Sequence, residues 1–338
     1  MKNNILLFVL SLFAPAVALH AADFQIAHAA EFAKCVPGDA KVMKLAGELG
    51  FIEGPVWIKE GRGYLVFSDI PNDQLKRWSP SGGLKIAFSD IANDQLNRWS
   101  PAGDLTTYRQ PSQNANGNTT DLEGRLVTCE HSGRRVAVQE KGGAVKTLVD
   151  SFEGKKFNSP NDVVVKSDGT VFFTDPDYGL KTNPTTKQKE GREQPGNFVY
   201  RHDPKTGKTT ALVRDFVQPN GLAFSPDEKT LYIADSGAPR HIRRFDVAAD
   251  GTVSGGQVFC KIDVGVPDGI RVDRVGRVWS SAGDGVQIFS PDGTLVGKIL
   301  VPESPANLCF GGDDGKTLFI TARKSLYAIK VAVAGAAR

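Results

Sequence analysis

A short phrase returns six times along the chain, each time as an oxygen-bearing side chain set just before an apolar strand. The phrases begin at Glu53 (EGPVW), Asn116 (NGNTTD), Asn161 (NDVVV), Asn220 (NGLAF), Asp268 (DGIRV) and Asn307 (NLCFG). Each runs on through a turn carrying Gly or Asp into a second apolar strand, as in KSDGTVFFTD after Asn161 and SPDEKTLYIAD after Asn220. The spacings are 63, 45, 59, 48 and 39 residues. A recurrence of roughly 40–50 residues built from short strands marks propeller blades. The chain therefore reads as all-β, a six-bladed β-propeller. A propeller brings equivalent positions to one axis, so Glu53, Asn161, Asn220 and Asp268 are expected to converge.

The fourth repeat shows a whole blade: PNGLAFS, LYIAD, HIRRFDV and GQVFCKI read as four antiparallel strands with polar turns. If the heads sit at the channel mouth, the second strands end there too, at Asp69, Glu130, Asp175 and Asp235. His131 and Tyr178 follow in the adjoining loops, and the polar loop 181–196 hangs at the same face. The sixth repeat is one strand short. Residues 41–49 (KVMKLAGEL) are the free candidate to supply it, closing the ring with an N-terminal strand and removing two edges.

One region breaks the pattern. Residues 67–84 return at 88–105 with 14 of 18 positions identical, an offset of 21. Removing that offset brings the first spacing to 42, so 88–108 reads as a tandem duplicate of 67–87. The surplus hairpin is expected to loop out or displace its twin, since identical segments compete for one register. The duplication lies in the blade that begins with Glu53 and bears on how that residue is held.

The first residues combine Lys2, an apolar run from Ile5 to about Leu19 and then small residues, the pattern of a secretory signal peptide over 1–21. Residues 22–40 form an N-terminal segment and 41–332 the propeller. A periplasmic or secreted product follows, with no membrane span after signal cleavage. The net charge of +3, with Lys and Arg scattered, gives no nucleic-acid partner. A monomer or weak dimer is expected. Export permits disulfides, but the four cysteines show no paired spacing. No CxxC, HExxH or GxSxG is present, which removes the common zinc and serine-hydrolase signatures.

Two carboxylates and two amides around one axis make an all-oxygen cage of about −2 charge, the choice of a hard cation such as Ca²⁺. Four protein ligands leave roughly two to four positions of a calcium sphere open, as a catalytic metal needs. Asn-Gly and Asp-Gly also form turns without any metal. Glu53 is no turn residue, and its place at a repeat head wants another reason. Asn116 and Asn307 read as turn or channel-wall residues, with Asn116 also a substrate-contact candidate.

EGPVW, SPNDVVV with TDPDYG, PNGLAFSPDEKTLYIAD and PDGIRVD resemble the senescence marker protein/gluconolactonase/luciferin-regenerating family over roughly residues 45–330. ANGNTTDLEGRLVTCEHSGRRV looks especially like its bacterial gluconolactonase branch. The resemblance implies a six-bladed hydrolase with a divalent metal, usually calcium, though zinc, manganese and magnesium can support members. It implies Glu53, Asn161, Asn220 and Asp268 as ligands. In some members the residue matching Asn161 contacts substrate or metal-bound water instead. The expected activity is hydrolysis of a sugar lactone, a metal-bound water attacking its carbonyl, with Asp268 as general base. A metal-bound carboxylate is a weak base, and His131 competes because neutral imidazole suits proton transfer near pH 7. Asn161, Asn116, His131, Asp175 and Tyr178 are the substrate-binding candidates. Two alternatives stay open: another ester or phosphoester on the same site, and a non-catalytic calcium-stabilised binding module.

Overall fold

The computed structural model describes residues 23–336 except 61–62, 71–72, 79–85, 91–94, 100–105 and 110. The signal-peptide reading of 1–21 and parts of both duplicate copies lie outside the described residues. Among those described, six sheets form the blades of a β-propeller. Blade two comprises Ala115–Thr120, Leu126–Glu130, Arg135–Gln139 and Val145–Val149; blade three Val163–Val165, Val171–Asp175, Asn197–His202 and Thr209–Phe216; blade four Pro219–Phe224, Thr230–Asp235, His241–Val247 and Val253–Lys261. In each the strands follow sequence order from the axis outward, as a meander of alternating apolar runs dictates.

Blade six has only Pro305–Gly311, Thr317–Ala322 and Ser325–Lys330 of its own. Its outer strand is Met43–Ala46, paired antiparallel with Met43 opposite Ala328 and Lys44 opposite Tyr327. This is the closure expected from residues 41–49. The seam is completed by aromatic packing, with Trp57 of blade one stacked on Phe319 of blade six at 5.5 Å between centroids. Blade five (Ile270–Val272, Val278–Ser281, Gly285–Phe289, Leu295–Leu300) carries an extra outer strand, Phe24–Ile26. The short helix Ala29–Ala33 follows and buries Phe32 beside it. Three paired residues leave too little alternation for sequence reading to find them.

Blade one holds Ile52–Ile58, Tyr64–Asp69, Asp73–Trp78, Ile86–Asp90, Gln95–Trp99 and Thr106–Arg109 in one six-stranded sheet. The surplus hairpin thus neither loops out nor displaces its twin. Tyr64–Asp69 also pairs in parallel with Ile86–Asp90, from Val66 opposite Ala87 to Asp69 opposite Asp90, the 21-residue offset of the repeat itself. The innermost strand with Glu53 keeps its partner, Glu53 facing Ser68.

The cores lie between blades. Between two and three, Tyr200 packs on Phe157 and Phe173 with centroids 4.9 and 5.3 Å away. All four cysteines are buried and unpaired, Cys129 and Cys309 acting as the small apolar strand residues expected of them.

Deleting residues 88–108 returns blade one to a single copy. The melting temperature of that variant should equal or exceed that of the full chain; a fall of more than a few degrees would show both copies to be integral.

Candidate active site

The head residues are fixed by their main chains. Ser68 Oγ of blade one donates to the Asn116 carbonyl of blade two at 2.7 Å. Gly117 N of blade two donates to the Asn161 carbonyl (2.8 Å), and Thr174 Oγ1 of blade three to the Asn220 carbonyl (2.8 Å). Gly221 N of blade four reaches the Asp268 carbonyl (3.1 Å), and Gly269 N of blade five the Ala306 carbonyl beside Asn307 (2.8 Å). Each blade thus ties the head of the next, and the carbonyls are spent on the ring while the side chains remain for the axis. Glycine is required at the approach: a Cβ on Gly221 would stand 2.2 Å from the Asp268 carbonyl oxygen. Gly54 is doubly constrained, at φ +48° and with its would-be Cβ 2.2 Å from the Asn116 carbonyl oxygen. Its amide donates to Glu53 Oε2 at 3.0 Å.

A second device holds the incoming loops. Asp69 accepts from the amides of Gly50 and Phe51, Asp175 from those of Asn158 and Ser159, and Asp235 from those of Val217 and Gln218, all at 2.8–3.2 Å. In each case the clamped amides lie three and two residues before the head. This corrects the expectation for Asp175. It is fully buried with both oxygens engaged by amides, so it clamps the loop before Asn161 and presents nothing to a sugar hydroxyl. Glu130 likewise turns inward, to Arg135 at 2.5 Å.

Blade five lacks the clamp, because Ala282 stands where blades one, three and four have aspartate. Its loop is held instead by Lys298, whose ammonium meets Asp263 at 2.7 Å and Asp284 at 2.8 Å, and by Gly283 N donating to the Val264 carbonyl at 2.7 Å.

Glu53, Asn161 and Asn220 are buried and Asp268 half-buried. Three of them are close: the Glu53 charge bears on Asp268, and the Asn220 side chain hydrogen-bonds Asp268. Burial pushes both carboxyls up, Asp268 further so through Glu53 and Asp162. Asn220 Oδ1 is buried with no hydrogen-bond partner. An orphaned amide oxygen near one buried and one half-buried carboxylate fits a hard cation. Among the described residues no three His, Cys, Asp or Glu cluster at metal spacing, so any ion here depends on the amide oxygens.

Two further axial residues, Asp162 and Arg271, escaped sequence reading, and Asn307, read as a turn or channel-wall residue, joins them. Asp162, next to Asn161, is 1% exposed and faces Arg271 Nη1 at 3.6 Å. Asn307 accepts from its neighbour Leu308 N with Oδ1 (2.8 Å) and hydrogen-bonds Glu53 and Asp162 with the same side chain, which makes it a donor to carboxylates. The Asp of SPNDVVV and the Arg of PDGIRVD were visible, but nothing in their spacing says that they meet.

Asn116 Nδ2 lies 3.1 Å from His131 Nε2. With the proton on Nδ1, that ring nitrogen accepts from the amide. Burial lowers the His131 pKa to about 4, so the ring is neutral at physiological pH. Gly179 packs against the His131 and Ser159 side chains, bringing the TDPDYG loop over blade two. Tyr178 is 44% exposed at this mouth, with its hydroxyl end near Ser236 and Asp268; burial there and the Asp268 charge push it up to about 12. The loop 181–196 is pinned by Arg192 to Asp177 (3.2 Å) and by Glu193 to Arg134 (3.4 Å).

Two outcomes are expected. Gly54→Ala should lose about 2 kcal/mol or more of stability, read by denaturant unfolding, because the left-handed φ and the carbonyl contact both resist a side chain. An NMR titration of the His131 ring protons should give a midpoint near 4. Since that lies below the ordinary value, protonation favours the unfolded chain, and stability falls as pH drops from about 6.5 to 4. A midpoint near 6.5 would mean that the ring is not held as described.

The family model described as SMP-30/Gluconolactonase/LRE-like region matches residues 84–324, taking in the second copy of the duplicate. A gluconolactonase from Zymomonas mobilis is 32% identical over 302 residues, 86% of this chain and 81% of that protein. A pentonolactonase from Haloferax volcanii is 26% identical over 280 residues, 80% of each. The solved structure of a gluconolactonase from Xanthomonas campestris superposes with a TM-score of 0.78 at 33% identity, covering 91% of this chain and 94% of that one. With its motifs in order on six blades and the family match running through blades two to five and parts of one and six, the chain belongs to the SMP-30/gluconolactonase/LRE-like family.

Proposed function

We propose that the protein is a metal-dependent hydrolase of a sugar lactone such as glucono-1,5-lactone, acting outside the cytoplasm after removal of a signal peptide. The lactone-hydrolase assignment follows the gluconolactonase and pentonolactonase relatives. The observation that carries the metal is the orphaned Oδ1 of Asn220, whose side chain meets Asp268, itself near the Glu53 charge. Glu53, Asn161, Asn220 and Asp268 would hold the ion, calcium before zinc, manganese or magnesium on their all-oxygen chemistry. Such an ion, when bound, polarises a carbonyl and makes a water more acidic.

The chain's own residues do the rest. An Asp268 carboxylate oxygen takes the proton of the attacking water and returns it to the departing ring oxygen, so that lactone and water become a hydroxy acid. Asn220, donating to Asp268, orients that carboxylate. His131 is less well placed as a base, because its Nε2 already meets Asn116 Nδ2; the two side chains instead offer a neutral, polar wall to sugar hydroxyls. Tyr178 stands at the mouth for the same purpose.

A second reading keeps the site and changes the substrate. Tyr178, Val217 and Val264 are exposed on loops of the head face. An apolar rim suits an ester with an aryl group.

Acid release from glucono-1,5-lactone by the mature protein should vanish in EDTA and return with calcium. Asp268→Ala should abolish it while the circular dichroism spectrum stays that of the wild type; full activity in that variant would sink the proposed base. Phenyl acetate hydrolysed faster than the lactone would favour the aryl-ester reading.

A further inference from the structure

Beneath the four heads the axis carries a third buried carboxylate. Asp162 Oδ1 accepts from Val163 N at 2.9 Å, while Oδ2 is buried with no close hydrogen-bond partner and has the Arg271 guanidinium 3.6 Å away. Arg271 comes from blade five and Asp162 from blade three, so the pair crosses the channel. The arginine is itself tied down, Nη1 donating to the Ile270 carbonyl at 2.7 Å. The Asp162 charge reaches both Glu53 and Asp268, and the Arg271 charge reaches Glu53. Asn307 bridges Glu53 and Asp162.

Arg271 also has a second exposure. A cavity of about 320 Å³ is lined by the far ends of the inner strands, among them Thr120, Val165, Ser225, Val272 and Gly311, and Arg271 lies in its wall. These strands start at the heads, so the cavity lies at the opposite end of the channel. Arg271 therefore stands between the cage and that cavity. Glu53, Asp162 and Asp268 together bring three negative charges to a poorly solvated axis. A buried carboxylate with no counter-charge costs several kcal/mol.

We propose that Arg271 is the counter-charge that sets the cation affinity of the cage, neutralising Asp162 so that the axis presents two net negative charges to a divalent ion. This rests on the metal reading above. It gives Arg271 a positioning and charge-balancing role without contact to substrate. The arginine keeps the cation exchangeable and the ion-free protein stable; without it the axis holds an uncompensated carboxylate that only the cation can satisfy.

A charge cycle tests this by calorimetric titration of the full chain with calcium, alongside the melting temperature with and without the ion. Arg271→Met leaves three net negative charges and should tighten calcium binding on the order of tenfold or more. The melting temperature without calcium should fall, and the rise on adding calcium should exceed the wild-type rise. Asp162→Asn, leaving one, should weaken binding by a similar factor. The double variant restores two and should bind within about threefold of wild type. Were Arg271→Met too unstable to purify, the recovery of affinity from Asp162→Asn to the double variant would carry the same information. Weaker binding in all three, as expected of a merely structural contact, would overturn the proposal, as would unchanged affinity in Arg271→Met. A wild-type chain that binds no calcium would instead overturn the metal reading, and this inference with it.

Discussion

The hydrogen bond from one blade to the head carbonyl of the next is the constraint on which the site depends. Five such bonds, from Ser68, Gly117, Thr174, Gly221 and Gly269, fix the main chain where each inner strand begins. A residue whose carbonyl is held in this way has little freedom left. Its side chain points to the axis because every other direction is occupied by a blade. The approach of Glu53, Asn220 and Asp268 is thus a consequence of how the ring is closed, as preorganised sites on rigid elements require. The sixth link is made by side chains, Asn307 to Glu53, at the seam where Trp57 also stacks on Phe319.

Blade five departs from its neighbours in the loop that brings Asp268. In blades one, three and four a buried aspartate takes two amides of the incoming loop. In blade five the same work falls to Lys298 with Asp263 and Asp284, and Asp263 is half exposed in its side chain. Amide clamps are short, internal and screened from water; an ion pair with one exposed partner is screened by salt and worth less. The residue assigned the proton transfer therefore sits on a loop with a weaker anchor than those of blades one, three and four. A proton-transfer group gains from small adjustments that a purely structural ligand does not need.

The blades, their order and the strand that closes the ring were legible in the sequence because periodicity and turn chemistry act locally. The four heads were legible for the same reason, each opening a repeat. Asp175 was misread: its place at a strand end was right, but sequence does not say that two amides from Asn158 and Ser159 consume both of its oxygens. Asp162 and Arg271 are 109 positions apart, and their meeting depends on ring geometry that no local pattern encodes. The duplication was plain as text, yet its accommodation was not. Blade one takes the extra strands into one six-stranded sheet.

That accommodation also explains why the duplicate need not harm Glu53. The clamp and the inter-blade bond of blade one come from Ser68 and Asp69 in the sequence FSD. The second copy carries the same FSD at Phe88, Ser89 and Asp90. An exchange of the copies would therefore leave the residue types needed for the Asn116 carbonyl and for the Gly50 and Phe51 amides unchanged in sequence.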